Sequence, residues 1–372
     1  MRLTVVQTLP ELEVGGVERG TLEVAAELVR RGHRSIVISS GGRLVDQLVN
    51  NGSEHIAMPI GRKSPLTLKY IPELRKLLVK EKVNILHARS RFPAWISYLA
   101  WITMNKGSKP GFVTTVHGPY SVNQYSKIMM RGQHIIAISE FIKNYIIKNY
   151  PDTDINKIEV IHRGVSSEQF SYDYQPADDW ILSWRKKYPF LHGKYIVTLP
   201  ARIARWKGHE DFLQILNMSV SSGLPVHGLI AGGPHPKRMP YYNQLISRAR
   251  DSGIDKHITF LGHRDDLREI MAISDVVLSL AIEPEAFGRT TLESLCLGTP
   301  VIAYDHGGAA EVLQSMFPIG RIKPHDINAA VAKLEHFFSD PPVVPRYCPF
   351  TLEQMLDKTI ALYENICSIK NK

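Results

Sequence analysis

The sequence predicts an α/β fold made of two doubly wound, parallel-sheet domains in succession, and three observations carry that expectation. At 372 residues the chain is longer than one hydrophobic core usually serves, so two domains of roughly 150 to 200 residues are expected. Short apolar runs alternate with segments of helical period, which is the rhythm of strand-helix-strand units rather than of hairpins. That rhythm lapses once, over the polar and aromatic stretch Ser166 to Asp179, and then restarts.

In the first half, Leu3 to Thr8, Ser35 to Ser39, Asn84 to His87, Phe112 to Val116 and Ile135 to Ile138 read as strands. After the first comes Glu13-Val14-Gly15-Gly16-Val17-Glu18-Arg19, opening a helix whose apolar face is Leu22, Ala25, Ala26 and Val29 and which ends at Gly32. Gly15 and Gly16 either present backbone amides to an anion or simply permit a tight strand-to-helix turn. Leu68 to Val83 reads as a basic amphipathic helix, with Lys69, Arg75, Lys76, Lys80 and Lys82 around Ile71, Leu74, Leu77 and Leu78. Such a helix either packs one face on a sheet and solvates the other, or lies on an anionic membrane. Arg89 and Arg91 follow the strand ending at His87, where they meet an anionic acceptor, cap a helix or face water. His117, in Thr114-Thr115-Val116-His117-Gly118-Pro119, is expected at the carboxyl edge of the first sheet, facing a cleft between the domains, as a substrate contact or as a structural histidine.

The second half repeats the pattern with Tyr195 to Leu199, Val226 to Ala231, Ile258 to Leu261, Asp275 to Leu280 and Val301 to Tyr304. Arg163-Gly164-Val165-Ser166-Ser167 is the expected crossing point, which puts the domains at residues 1–168 and 169–349. Residues 350–372 read as one or two helices returning to the first domain, with Leu352, Met355, Leu356, Ile360, Leu362, Tyr363 and Ile366 apolar.

Chemistry concentrates in this half. The loop Leu199-Pro200-Ala201-Arg202-Ile203-Ala204-Arg205-Trp206-Lys207-Gly208 offers Arg202 and Lys207 to a diphosphate, unless it is only a solvated basic loop. Gly232-Gly233-Pro234 lets a nucleotide approach the backbone or lets the chain turn, and Gly262 and Arg264 lie at a strand end where a base could meet backbone groups. Most informative is Glu285-Ala286-Phe287-Gly288-Arg289-Thr290-Thr291-Leu292-Glu293, which sets two carboxylates eight residues apart across a loop-to-helix junction. A carboxylate on a buried helix is costly without donors to it, and ribose hydroxyls would donate to Glu293; a helix cap or a structural arginine would serve equally. Glu285 would reach a sugar hydroxyl from the loop, in preference to Glu283, and the amides of Arg289, Thr290 and Thr291 form a helix N terminus suited to a diphosphate.

Composition narrows the function. No G-x-G-x-x-G follows a strand and no P-loop is present, which argues against nicotinamide and ATP chemistry. Three cysteines, Cys296, Cys348 and Cys367, are too few and too far apart for a disulfide framework or a zinc site, and favour a reducing compartment. Met1 to Val6 runs straight into a strand without the pattern of a signal peptide, and the apolar run Phe92 to Met104 is too short to span a bilayer, so a cytoplasmic protein is expected. Residues 1–165 carry 23 Lys+Arg against 13 Asp+Glu, a net of +10, while the remainder is nearly balanced. Nucleic acid, an anionic membrane surface or an acidic acceptor would each explain that excess.

Together, the Gly15-Gly16 loop, His117, Arg202 with Lys207, Gly232-Gly233 and Glu285-x7-Glu293, followed by Gly298-Thr299-Pro300-Val301-Ile302-Ala303 and Gly307-Gly308, resemble the retaining glycosyltransferases of family 4, which have the GT-B fold. The resemblance implies two Rossmann-like domains facing an interdomain cleft, the first on the acceptor side and the second binding a nucleotide-sugar donor. It implies that Arg202 and Lys207 hold the diphosphate, Glu293 the ribose and Glu285 the transferred sugar, with Phe287, Gly288, Arg289 and Thr290 near sugar and phosphate. His117 would contact the sugar or polarise the reacting region, and Gly15 and Gly16 would approach the diphosphate, although Pro10-Glu11-Leu12-Glu13 is acidic where a phosphate would come. No cofactor and no obligatory metal are implied, consistent with the lack of an Asp-x-Asp motif beside a donor strand. The expected partners are a nucleotide sugar and a glycan or lipid-linked acceptor of the cell envelope, as in lipopolysaccharide or polysaccharide biosynthesis, with peripheral contact to the cytoplasmic face of an anionic membrane and no nucleic acid. Two rivals stand beside this expectation: a nucleotide-sugar 2-epimerase on the same architecture, and a non-catalytic carbohydrate- or nucleotide-binding subunit.

Overall fold

The computed structural model describes residues 2–13, 15–235 and 238–370. It divides into two compact units, residues 1–162 with 353–372, and residues 163–352. The passage between units therefore falls at His162/Arg163, a few residues before the boundary at 168/169 read from composition.

The first unit holds seven parallel strands: β1 (Thr4–Thr8), β2 (Arg34–Ser39), β3 (Glu54–Ala57), β4 (Ile85–Ala88), β5 (Gly111–Val116), β6 (His134–Ala137) and β7 (Ile158–Val160), in the order β3-β2-β1-β4-β5-β6-β7. The second repeats the winding with β8 (Tyr195–Leu199), β9 (Val226–Ala231), β10 (Ile258–Gly262), β11 (Val276–Ser279), β12 (Val301–Tyr304) and β13 (Arg321–Ile322), in the order β10-β9-β8-β11-β12-β13. The order reverses between β1 and β4 and between β8 and β11, and such switch points open a crevice beyond the carboxyl ends of the strands.

Central strands are buried on both faces, which is why they read as apolar runs without alternation. β3, β7 and β13, which sequence reasoning missed, are short and lie at or next to a sheet edge, and β3 is at most half-buried along its length. The first helix, Gly16–Arg30, turns Thr21, Leu22, Val24, Ala25 and Leu28 inward, while Ala26 and Val29, expected on that face, are half-buried. The basic helix is shorter than expected: Pro65–Lys69 winds as a 3₁₀ turn and the α-helix runs Tyr70–Lys80, burying Leu74 and Leu78.

The C-terminal tail forms one helix, Leu352–Lys370, rather than two. Met355, Leu356, Ile360, Leu362, Tyr363, Ile366 and Cys367 are buried at spacings of three and four, a single stripe in which each large side chain contributes about 1.5–3 kcal/mol. Beneath it, the Tyr363 hydroxyl meets His87 Nδ1 at 2.6 Å, and His87 Nε2 meets Thr115 Oγ1 at 2.6 Å. A Cβ at Gly111 would collide with Ile366, so helix and sheet approach closely there.

Candidate active site

The site in the second unit is assembled from the loops that follow β8 and β11. After β8, Gly208 takes the left-handed conformation (φ 74°) and caps the helix His209–Ser221; a Cβ on it would strike the Leu280 carbonyl. That glycine lets the β8 loop lie against the β11 loop, an approach reinforced where Ile282 N–H donates to the Trp206 carbonyl at 2.7 Å. Lys207 is carried inward on this turn, whereas Arg202 stays exposed and forms no ion pair among the described residues.

The loop carrying Glu285 is fixed by the glycine pair that opens the helix Gly307–Met316. Gly308 N–H donates to the Glu285 carbonyl at 2.7 Å, and a Cβ on Gly308 would overlap the Phe287 backbone. His306 Nε2 meets the Ala281 carbonyl at 2.7 Å from the same turn. Gly288 (φ 75°) then starts the helix Arg289–Cys296, with its missing Cβ facing Ala309 at 2.6 Å. The N-cap residue Gly288 has no side chain to cap this helix, whose N terminus is of the kind that suits an anion.

Two charge pairs result. Lys207 Nζ meets Glu285 Oε1, with side chains 18% and 14% exposed. One turn into the helix, Arg289 Nε donates to Glu293 Oε1 at 2.9 Å, and Glu293 is buried. The arginine that would satisfy a buried Glu293 is thus Arg289, four residues before it. A hollow of about 10 Å³ lies among Lys207, Glu285, Thr290, Ser279 and the β8 carboxyl end, room for about one water. Thr291 is fully buried, and its hydroxyl has no hydrogen-bond partner among the described residues.

Of the other residues predicted in this unit, Gly232 packs against the Ala201 carbonyl, so β9's exit and the Arg202 loop lie together. Gly262 has φ 70° and open space where a Cβ would stand. Arg264 is held bidentately by Asp266 at 2.7 and 2.5 Å, a bond that raises its pKa, while Trp180 Nε1 donates to the same carboxylate at 2.8 Å. That fork is committed to shaping the loop after β10.

In the first unit, Gly15 precedes the helix Gly16–Arg30 in extended conformation, and Gly16 has open space around its Cβ position. The acidic residue Glu13 pairs with Arg43 at 3.3 Å on the surface. His117 follows β5, and its backbone N–H donates to the Tyr120 hydroxyl at 3.2 Å. Arg89 is buried, donates to Gln7 Oε1 at 2.6 Å and contacts Tyr363, and loss of hydration lowers its pKa. Arg91 lies between the rings of Tyr120 and Tyr125, 4.8 and 5.3 Å from their centroids, and donates to Ser126 Oγ at 3.2 Å. Both arginines thus already serve intramolecular contacts.

Sequence reasoning missed His209, Gly208 and Trp206 as parts of the site's frame. His209 is fully buried, with Nδ1 on the Ala204 carbonyl at 3.2 Å, and burial lowers its pKa to about 4, so it is neutral at physiological pH. Only its place directly after Lys207-Gly208 could have signalled it.

Residues 14–169 match the family described as Glycosyltransferase Family 4, and residues 181–348 match Glycosyl transferases group 1. A glycosyltransferase of Rickettsia africae ESF-5 shares 31% identity with a TM-score of 0.88, each chain covered over 100% of its length. The N-acetyl-alpha-D-glucosaminyl L-malate synthase of Bacillus anthracis is 24% identical over 319 residues, 81% of this chain and 78% of that one. The Anabaena protein HepE, crystallised with UDP and glucose, shares the fold at 16% identity and TM-score 0.80, over 98% of this chain and 100% of its own. The chain belongs to the family 4, group 1 glycosyltransferases and has their GT-B fold, two Rossmann-like parallel-sheet domains.

Proposed function

We propose that the protein transfers a hexosyl residue from a nucleoside-diphosphate sugar, with retention at the anomeric carbon and without an obligatory metal. The observation that carries this reading is the meeting of Lys207 with Glu285 beside the uncapped N terminus of the helix that also carries Glu293. A cation and a helix N terminus suit a diphosphate; the half-buried carboxylate of Glu285 and the buried one of Glu293 suit sugar hydroxyls. HepE, crystallised with UDP and with UDP-glucose, supports a nucleoside-diphosphate donor.

In this reading Lys207 moves from Glu285 to the leaving phosphate, joined by Arg202, and Glu285 turns to the hydroxyls of the sugar. Both carboxylates act as hydroxyl ligands, not as the acid and nucleophile of a double displacement. The leaving phosphate takes the acceptor's proton on the front face while the two cations and the helix amides stabilise its growing charge. The basic first unit is assigned to a phosphorylated or lipid-linked envelope acceptor. Exposed Leu66, Leu68 and Val79 beside Lys69, Arg75, Lys76 and Lys80 support peripheral attachment to an anionic membrane, and no helix among the described residues is long and apolar enough to cross one.

The test is to incubate purified protein with candidate sugar nucleotides and envelope glycolipids and read the anomeric configuration of the product by NMR. A product with the donor's configuration supports the reading, and inversion rejects it. Sugar nucleotide rearranged without any acceptor would instead favour a 2-epimerase.

A further inference from the structure

Two of the three cysteines stand together where the function above has no use for them. Cys296 is the last residue of the helix Arg289–Cys296 and is buried; Cys348 lies on the segment after the helix Ile327–Ser339 and is half-buried. Their sulfurs are 3.0 Å apart, and both are thiols. Cys367 is buried in the C-terminal helix of the other unit.

A cavity of about 270 Å³ opens beside the pair, lined by Tyr172, Asp173, Arg346 and Tyr347 as well as by both cysteines. Arg346 stacks on Tyr172 with its guanidinium 4.6 Å from the ring centroid and pairs with Asp173 at 2.9 Å. The cavity gives a small zwitterionic peptide room beside the sulfurs, and the largely exposed Arg346 and Asp173 can exchange their mutual pair for its carboxylate and ammonium. Cys348, the half-buried residue of the two, is the one such a molecule reaches first, and the hydrogen bond to its sulfur together with burial raises the Cys296 pKa.

We infer that Cys296 and Cys348 form a dithiol modification site, oxidised to an intramolecular disulfide by a low-molecular-weight peptide disulfide such as glutathione disulfide. The Cys348 thiolate attacks one sulfur of the oxidant, whose S–S bond breaks, and one glutathione leaves as thiolate. Cys296 then gives up its proton and attacks the Cys348 sulfur of this mixed disulfide, and the second glutathione departs. Two protein thiols are oxidised and one glutathione disulfide is reduced to two thiols. Because Cys296 ends the helix that carries Arg289, Thr290 and Glu293, the bridge tethers that helix to the segment at Cys348. The chemistry of this site stands whether or not the donor reading holds.

The test uses the full chain, treated with glutathione disulfide, quenched by alkylation at intervals and mapped without reduction. The expected result is transient glutathione on Cys348, then a Cys296–Cys348 cross-link, with Cys367 still alkylated. Cys296→Ser should stall at the mixed disulfide, and Cys367→Ser should behave like the unaltered protein. Hydrogen exchange in residues 289–296 should slow on oxidation and recover with dithiothreitol. Persistent alkylation of Cys348, or glutathione that stops there in the unaltered chain, would overturn the site, and exchange unchanged by the cross-link would overturn its coupling to the helix. The time course on the unaltered chain decides the chemistry even if a serine variant fails to fold.

Discussion

Lys207 Nζ and Glu285 Oε1 are joined in an ion pair withdrawn from most solvent, between the loops after β8 and β11. Breaking one side of such a pair leaves the other charge uncompensated, whereas a phosphate arriving at Lys207 offers a replacement anion. The two partners should therefore fail differently. Lys207→Ala should lower kcat/KM for transfer about 10²–10³-fold, about 3–4 kcal/mol, and weaken binding of the nucleoside diphosphate alone. Glu285→Gln should lose transfer while binding the bare diphosphate at least as well as the unaltered protein. Paired titrations with diphosphate and sugar nucleotide, beside steady-state rates, check this.

The glycine pair at Gly307-Gly308 sets the position of that loop, so a single methyl group should displace it. Gly308→Ala would drive its Cβ into the Phe287 backbone, and overpacking of this kind costs about 1–3 kcal/mol. A lower Tm together with loss of donor binding is expected. Gly107→Ala, where a Cβ would meet nothing within 4 Å, should change neither.

Much of this was legible beforehand, for reasons particular to each element. Buried parallel strands such as β4 and β8 announce themselves because both faces are buried and most of their residues are apolar. β13, two residues long, and β7, three, carry no pattern that could distinguish them from loop. The junction from Glu285 to Glu293 was readable because its glycine, carboxylates and helix start are consecutive. The partners were not: the pairing of Lys207 with Glu285 joins residues 78 apart, and Arg89 stood open between an anionic acceptor, a helix cap and water because nothing local reveals Gln7 and Tyr363 as its partners. The i,i+4 spacing of Arg289 and Glu293 was a local signal that Glu293 has an arginine partner within its own helix.

Stability should fall with moderate acid. Burial lowers the pKa of His209 and of His227 to about 4, from an ordinary value near 6.5. Below the ordinary value the unfolded chain binds protons that the folded chain refuses, so stability present above it is lost as pH falls toward 4. Between pH 7 and pH 5 each histidine should remove about 2 kcal/mol from the second unit. Urea titrations at the two pH values would show it, and His227→Gln should reduce the difference by about that amount.

Tyr363 holds the C-terminal helix to the first unit through polar contacts as well as packing, with its hydroxyl on His87 and against Arg89. Tyr363→Phe removes one partner from a buried imidazole and one from a buried guanidinium, and should cost about 2–3 kcal/mol. Limited proteolysis should then release the C-terminal helix sooner, with little change in nucleotide binding by the second unit.

Calorimetric titration of the protein with UDP-, GDP- and ADP-sugars, without added metal, alongside Lys207→Ala and Glu293→Ala, decides whether this site takes a nucleotide sugar. One nucleotide class is expected to bind, and each variant to weaken it at least about tenfold, or about 1.4 kcal/mol. Failure of every sugar nucleotide to bind, or binding that neither substitution alters, would rule out a donor site at Lys207 and Glu293.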